Sequence, residues 1–199
     1  MKIEAVIFDI GNVLLLFDYM RSASRLIAKN QPETPPDPDR VTAWIHQYEC
    51  GQMSRAEFLA SVRPEFADTG AESEFLSIWE NIFEENLPMT ALARELSAEV
   101  PVFLISNIGD IHLEFIRRQF DVFRVFRDGV YSFEAGLLKP DPRVFQLART
   151  RFGVDPAATI YFDDLAANCE AAASEGFLAH HYDHTKHHEA RDWVELNLG

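Results

Sequence analysis

Cysteine is nearly absent from this 199-residue chain: only Cys50 and Cys169 are present, too far apart in sequence to suggest a metal-ligand or disulfide spacing. Their scarcity fits a reducing cytosol. Cys169 reads as a small core residue, since nothing beside it in sequence would depress a thiol pKa. Positive charge is also scarce, with 18 Lys and Arg against 32 Asp and Glu and a formal net charge of −14. A surface of that sign repels polyphosphates, which argues against a nucleic acid or an anionic membrane as partner. Small phosphorylated ligands stay open, because one local cation can neutralise them. No apolar run approaches the roughly 20 residues of a membrane span, and the first residues lack the basic-then-apolar order of a secretion signal. A soluble, cytoplasmic protein is expected.

What is present is apolar substance, 47% of residues, enough for one ordinary core with or without a small inserted unit. A β-rich run, Ile3-Glu4-Ala5-Val6-Ile7-Phe8, stops abruptly at Asp9 and is followed by Gly11. Similar runs are Val100 to Ile105, stopping at Ser106, and Thr159 to Phe162, stopping at Asp163; Phe177 to Tyr182 offers a fourth. Helix-like segments separate the later runs. This alternation predicts an α/β fold, a Rossmann-like parallel sheet covered by helices on both faces.

Nearly ninety residues separate the first two strands, too many for one crossover helix. An insert of helices is expected there. Val41, Trp44, Ile45 and Tyr48 recur at helical spacing, as do Phe75, Ile78, Trp79 and Ile82. Gly51 can close one helix, and Ser54 with Glu57 forms a capping box that opens the next, with Phe58, Leu59 and Val62 on its buried side. A proline-rich loop from Pro32 to Pro38 follows a first helix around Met20 to Lys29. The aromatic stripes read as bundle core. The expected division is a core of residues 1–16 and 88–199 with a helical insert of residues 17–87, hinged near Phe17 to Met20 and Glu85 to Met89.

Ligands of an open parallel sheet bind beyond the carboxyl ends of its strands. Three predicted strands end there in Asp9, in Ser106-Asn107 and in Asp163-Asp164. Carboxylates converging in one crevice repel each other unless a cation lies between them, and hard oxygen ligands select Mg²⁺ or a close relative. Ser106 and the backbone N–H groups leading into a helix near Asp110 can bind an anion. Lys139, in Leu138-Lys139-Pro140-Asp141-Pro142, is held on a loop before a helix whose N-cap is Asp141. A carboxylate, a hydroxyl, a lysine and a carboxylate pair with Asn168 one turn on suit phosphoryl transfer.

This ordered set resembles the haloacid dehalogenase-like hydrolase superfamily over almost the whole chain. Phe8-Asp9-Ile10-Gly11-Asn12-Val13-Leu14 is similar to its first motif, Leu104-Ile105-Ser106-Asn107 to its second, Lys139-Pro140-Asp141-Pro142 to its third, and Phe162-Asp163-Asp164 with Asn168 to its fourth. An insert right after the first motif resembles the helical-cap subgroup (C1 cap, subfamily IA) that includes the phosphatase half of soluble epoxide hydrolase and bacterial glucose-1-phosphate phosphatase. Glu49-Cys50-Gly51-Gln52-Met53-Ser54 is similar to a turn in that cap. The resemblance implies an Mg²⁺-dependent phosphatase acting on a small phosphorylated metabolite, a sugar phosphate being the family-level expectation. It makes Asp9 the nucleophile that becomes an aspartyl-phosphate and a metal ligand. Asp164 and the Gly11 carbonyl would be further ligands, with Asp163 ligating directly or through water. Ser106 and Lys139 would hold the phosphoryl group, and Asn107 and Asn168 would give supporting hydrogen bonds.

One position departs from the pattern. Phosphatases of the superfamily usually carry a second aspartate two residues after the nucleophile, as acid and base, and here that residue is Gly11. Asp18 reads as a hinge or cap residue and Glu49 as a helix-end charge, although either could substitute. Two rival readings follow: a metal-independent dehalogenase, which the Asp163-Asp164 pair disfavours, and a catalytically impaired binding or regulatory protein. The histidines His180, His181, His184, His187 and His188 read as a solvated tail. Without an acid at position 11, turnover should favour p-nitrophenyl phosphate, whose leaving group needs no proton, over a hexose phosphate. A clear preference for the hexose would show that another acid has taken over.

Overall fold

The computed structural model describes residues 2–198. Five strands form one parallel sheet: β1 (Ala5–Phe8), β4 (Val102–Ser106), β5 (Asp128–Tyr131), β6 (Thr159–Asp163) and β7 (Leu178–His181), in the order β5-β4-β1-β6-β7. Two short strands, β2 (Leu15–Phe17) and β3 (Phe83–Glu85), form a separate antiparallel pair. Helices α5 (Leu87–Ser97), α6 (Asp110–Gln119), α7 (Ser132–Ala135), α8 (Pro142–Phe152), α9 (Ala166–Ser174) and α10 (His187–Leu198) follow or link the sheet strands, and α1 (Tyr19–Asn30), α2 (Pro38–Glu49), α3 (Arg55–Glu65) and α4 (Glu72–Trp79) lie between β2 and β3. This is the Rossmann-like α/β arrangement expected.

Strands β1, β4 and β6 are buried along their whole length and, apart from Thr159 and the terminal Ser106 and Asp163, apolar, because both sheet faces are covered. Alternate side chains go to opposite layers: Val6, Phe8, Leu104, Ile160 and Phe162 pack on one face, Ala5, Ile7, Phe103, Ile105 and Tyr161 on the other. Pairing of Phe8 with both Leu104 and Phe162 aligns the carboxyl ends of the three central strands. The chain leaves β1 toward β4 and β5, then returns to β6 on the other side. That reversal opens a crevice beside β1.

The four inserted helices have a core of their own, Leu26, Tyr48, Phe58, Leu59, Val62, Phe66, Phe75 and Trp79, completed by Ile111 from α6. Local chemistry sets their ends. Asp18 caps α1 through the Met20 N–H, and Ser54 and Glu57 form a reciprocal capping box on α3. Gly51 has φ +70° just beyond α2, where its missing Cβ spares a contact with the Phe133 carbonyl. The helix around Phe75 stops at Trp79, so Ile82 lies beyond it although buried.

Three features differ from the sequence expectation. Strand β5 was not anticipated, because Asp128-Gly129-Val130-Tyr131 is short and interrupted by glycine. The β2–β3 ribbon is likewise absent from the sequence expectation, in which only Phe17 and Glu85 of its residues fall in the hinges. The terminal histidines are a solvated tail only in part: His181, His184 and His188 are exposed, but His180 and His181 belong to β7, His180 packs between Phe162 and Trp193, and α10 buries Ala190 and Val194 against the core.

Tyr48 ties the insert to the sheet layer. Its ring stacks on Phe58 at 4.5 Å, and its hydroxyl accepts from the Ile111 N–H at 3.0 Å and donates to the Asp110 carboxylate. It thereby satisfies a buried donor at the first turn of α6. Tyr48→Phe leaves that amide unpaired and is expected to lower stability by about 1–3 kcal/mol, read as a shift in the urea midpoint.

Candidate active site

Segments distant in sequence close on one cavity of about 250 Å³ at the carboxyl edge of the sheet. Asp9, Gly11, Ser106, Asn107, Lys139, Asp164 and Asn168 line it. Of the residues that the family resemblance assigns to the site, Asp163 alone sits behind the wall, fully buried.

Lys139 is the centre of the floor, 5% exposed. Its Nζ lies 2.8 Å from Asp9 Oδ1 and 2.6 Å from Asp163 Oδ2, and donates to the Ile105 carbonyl at 3.2 Å. The Asn107 amide grips the lysine's backbone on both sides, Oδ1 accepting from the Lys139 N–H at 2.9 Å and Nδ2 donating to its carbonyl at 3.0 Å. Both polar atoms of Asn107 are therefore engaged with the lysine loop. Asp163 Oδ1 accepts from the Leu165 N–H and from Asn168 Nδ2, and its Oδ2 accepts from Lys139 and the Tyr161 hydroxyl. Asp164 is partly exposed and accepts from Asn12 Nδ2 at 3.0 Å. Asn12 reaches it from a left-handed backbone, φ 52°.

One ammonium faces three carboxylates. Burial raises the Asp9 carboxyl to about 7; Lys139 pulls it down and Asp163 pushes it up. Burial also raises Asp164, against the Asn12 hydrogen bond. For Lys139, burial alone would favour the neutral amine, but Asp9 and Asp163 reverse this and lift its pKa above the ordinary value. Oxygens of Asp9, Asp163 and Asp164 lie within 4.8 Å of one another, the one such acidic or histidine group among the described residues. A set of hard oxygen donors with excess negative charge fits a divalent cation such as Mg²⁺. The histidines of β7 and α10 form no comparable set.

The far wall comes from the insert and its ribbon: Phe17, Tyr19, Glu49, Ile82 and Phe83, with His112 from α6. Asp18 is spent as the N-cap of α1, its carboxylate accepting from the Met20 N–H. Glu49 does end its helix, yet it is partly buried in the cavity wall rather than left as a surface charge. Its Oε1 accepts from the Tyr19 hydroxyl at 3.0 Å. Burial raises Glu49 to about 7, the Tyr19 bond opposing and the Asp9 charge adding to the rise. A Cβ at position 11 would come 2.8 Å from Phe17 Cε1. Among the residues of this far wall, Glu49 is the one that the sequence offers as a catalytic group. Asn12 was quoted within a motif, but its reach to Asp164 depends on a local backbone turn. The aromatic wall carried no signal distinct from core patterning.

Residues 3–176 match the family described as haloacid dehalogenase-like hydrolase, and the chain belongs to that family. Its fold is similar to a HAD family enzyme of Bacteroides thetaiotaomicron, at 22% identity over 98% of both chains and a TM-score of 0.82. The wild-type form of that enzyme in complex with magnesium and inorganic phosphate is 24% identical over 91% of this chain and 94% of that one, with a TM-score of 0.78. A predicted HAD-like family hydrolase of Porphyromonas gingivalis is 21% identical over 98% of both chains, with a TM-score of 0.77. A stretch of 68 residues is 43% identical to acyl-CoA dehydrogenase family member 10 of Mus musculus, a match covering 34% of this chain and 6% of that protein. Among the described residues no helix is long and apolar enough to cross a membrane.

His112 gives the site a measurable pH signature. It is buried among the rings of Tyr19, Trp79 and Phe83, and burial lowers its pKa to about 4. The unfolded chain takes up this proton near pH 6.5 while the folded one does not, so stability is full above that pH and falls as pH drops toward 4. Between pH 7 and 5 the protein is expected to lose on the order of 2 kcal/mol more than a His112→Phe variant, measured by urea unfolding at both values.

Proposed function

We propose that this chain is a Mg²⁺-dependent phosphoric monoester hydrolase that acts on a small phosphorylated metabolite, with a sugar phosphate as the leading class, in the cytoplasm. The observation that carries the reading is Lys139, buried between Asp9 and Asp163 on the floor of a cavity that Ser106 and Asp164 also line. The inserted helices act as a cap over residues 1–16 and 88–199, and their side chains select the substrate.

Asp9 attacks phosphorus through a carboxylate oxygen, giving an aspartyl-phosphate and releasing the alcohol; water then cleaves that intermediate. Lys139 and Ser106 hold phosphoryl oxygens, the lysine fixed by Asn107 so that it needs no reorganisation as charge develops. Asp9, Asp164 and the Gly11 carbonyl would hold the ion, which when bound supplies positive charge against the phosphoryl oxygens. Asp163, both oxygens already taken by protein donors, orients Lys139 and Asn168 and would support the ion from behind the first carboxylates.

Release of phosphate from p-nitrophenyl phosphate should require Mg²⁺, stop with chelator, and fall by about 10⁴-fold or more in Asp9→Asn. Turnover that survives either change overturns this reading. Metal-independent halide release from a 2-haloacid would establish the dehalogenase instead.

A further inference from the structure

An alkyl phosphate ester cannot leave as a free alkoxide at neutral pH, so an enzyme that cleaves one places a proton donor at the ester oxygen. Position 11 supplies none. The Phe17 ring packs over Gly11 and occupies the space a side chain there would need. The donor has to come from elsewhere on the cavity wall, and the titratable groups on that wall are few: Asp9, Tyr19, Glu49, His112, Lys139 and Asp164.

Five of the six are committed. Asp9 is the nucleophile, and Asp164 belongs to the acidic cluster held by Asn12. Lys139 donates to two carboxylates and a carbonyl. Tyr19 donates its proton to Glu49, and burial beside that carboxylate holds its own pKa well above the ordinary tyrosine value. His112 sits in an aromatic cage with Nε2 3.4 Å from the Trp79 carbonyl. Glu49 is left, with Oε1 fixed by Tyr19 and its other oxygen carrying no protein hydrogen bond. It also lies on the appropriate side. In-line displacement sends the leaving oxygen away from Asp9, toward the wall built by the insert, and Glu49 is the carboxyl group on that wall.

Building on the phosphatase reading, we infer that Glu49, at the end of α2, is the general acid and base of this site and suits it to alkyl phosphate monoesters. In the first step the Asp9 oxygen bonds to phosphorus, the P–O(alkyl) bond breaks with its electron pair on the alcohol oxygen, and that oxygen takes the Glu49 proton. In the second step the Glu49 carboxylate removes a proton from water as the water oxygen bonds to phosphorus. The bond from phosphorus to Asp9 breaks, and inorganic phosphate leaves with Glu49 protonated again. The expectation drawn from Gly11 alone, a preference for aryl esters, is thereby reversed. Burial lifts the carboxyl to about 7, the direction a group serving both steps at neutral pH requires.

The test is kcat/KM across phosphate esters of rising leaving-group pKa, from p-nitrophenyl phosphate to a hexose phosphate, with Mg²⁺, for the parent and Glu49→Gln. Glutamine can still accept from Tyr19 but holds no transferable proton. The hexose ester should lose about 10²–10⁴-fold and the aryl ester less than tenfold, so the dependence on leaving-group pKa steepens. Acid-quenched protein should also retain more phosphate on Asp9, because hydrolysis of the intermediate is slowed. Tyr19→Phe, which leaves the carboxyl in place but unanchored, should steepen the same dependence to a smaller degree and covers the case in which Glu49→Gln fails to fold. Equal losses on both esters in a folded Glu49→Gln, or an unchanged slope, would overturn the assignment of Glu49 while leaving the phosphatase reading intact. Failure of the Asp9→Asn test would overturn both.

Discussion

A lysine ammonium held out of water between two carboxylates is the interaction on which the rest of the site depends. Lys139 Nζ meets Asp9 and Asp163 within 2.8 Å, and neither partner could be removed without leaving charge unpaired in the interior, at a cost of several kcal/mol. The contact joins the ends of β1 and β6 to the loop before α8. Asn107 brings in β4 by clamping the lysine backbone. Four of the chain's segments are thus locked into one geometry by hydrogen bonds to a single residue and its loop. Such a lock pre-organises charge for a reaction in which charge moves from an attacking oxygen to a leaving one.

The three-layer core explains why those groups meet at all. Parallel strands with both faces buried must be apolar along their length, so polar residues collect where strands end. Because β1, β4 and β6 are aligned in register, their ends open into one crevice. Asp9, Ser106 and Asp163-Asp164 are therefore legible as a set in the sequence. The likeness to other haloacid dehalogenase-like proteins, at 21–24% identity, is a likeness of fold.

What could not be read has physical reasons too. Strand β5 carries only four residues with a glycine among them, and its membership is decided by backbone pairing to β4 rather than by pattern. The β2–β3 ribbon is three residues long on each side, below the length at which alternation becomes visible. The terminal histidines looked polar in sequence, yet His180 packs against Phe162 and Trp193 because β7 is an edge strand covered by α10. Glu49 was legible as a helix end, but which way a terminal side chain turns depends on neighbours such as Tyr19 that lie thirty positions away in the chain. The aromatic wall of the cavity, Phe17, Tyr19 and Phe83, has the same composition as the bundle interior, so periodicity alone could not separate the two.

The ribbon has a consequence for the cavity it borders. Every covalent path from the sheet to the helical insert runs through β2 and β3, whose Phe17 and Phe83 are cross-strand partners and both line the cavity. Because the two strands are paired in register, the positions of those two rings are fixed relative to each other by the same hydrogen bonds that anchor the insert. The pairing that joins the insert to the sheet therefore also sets the aromatic lining of the cavity, with Phe17 resting over Gly11.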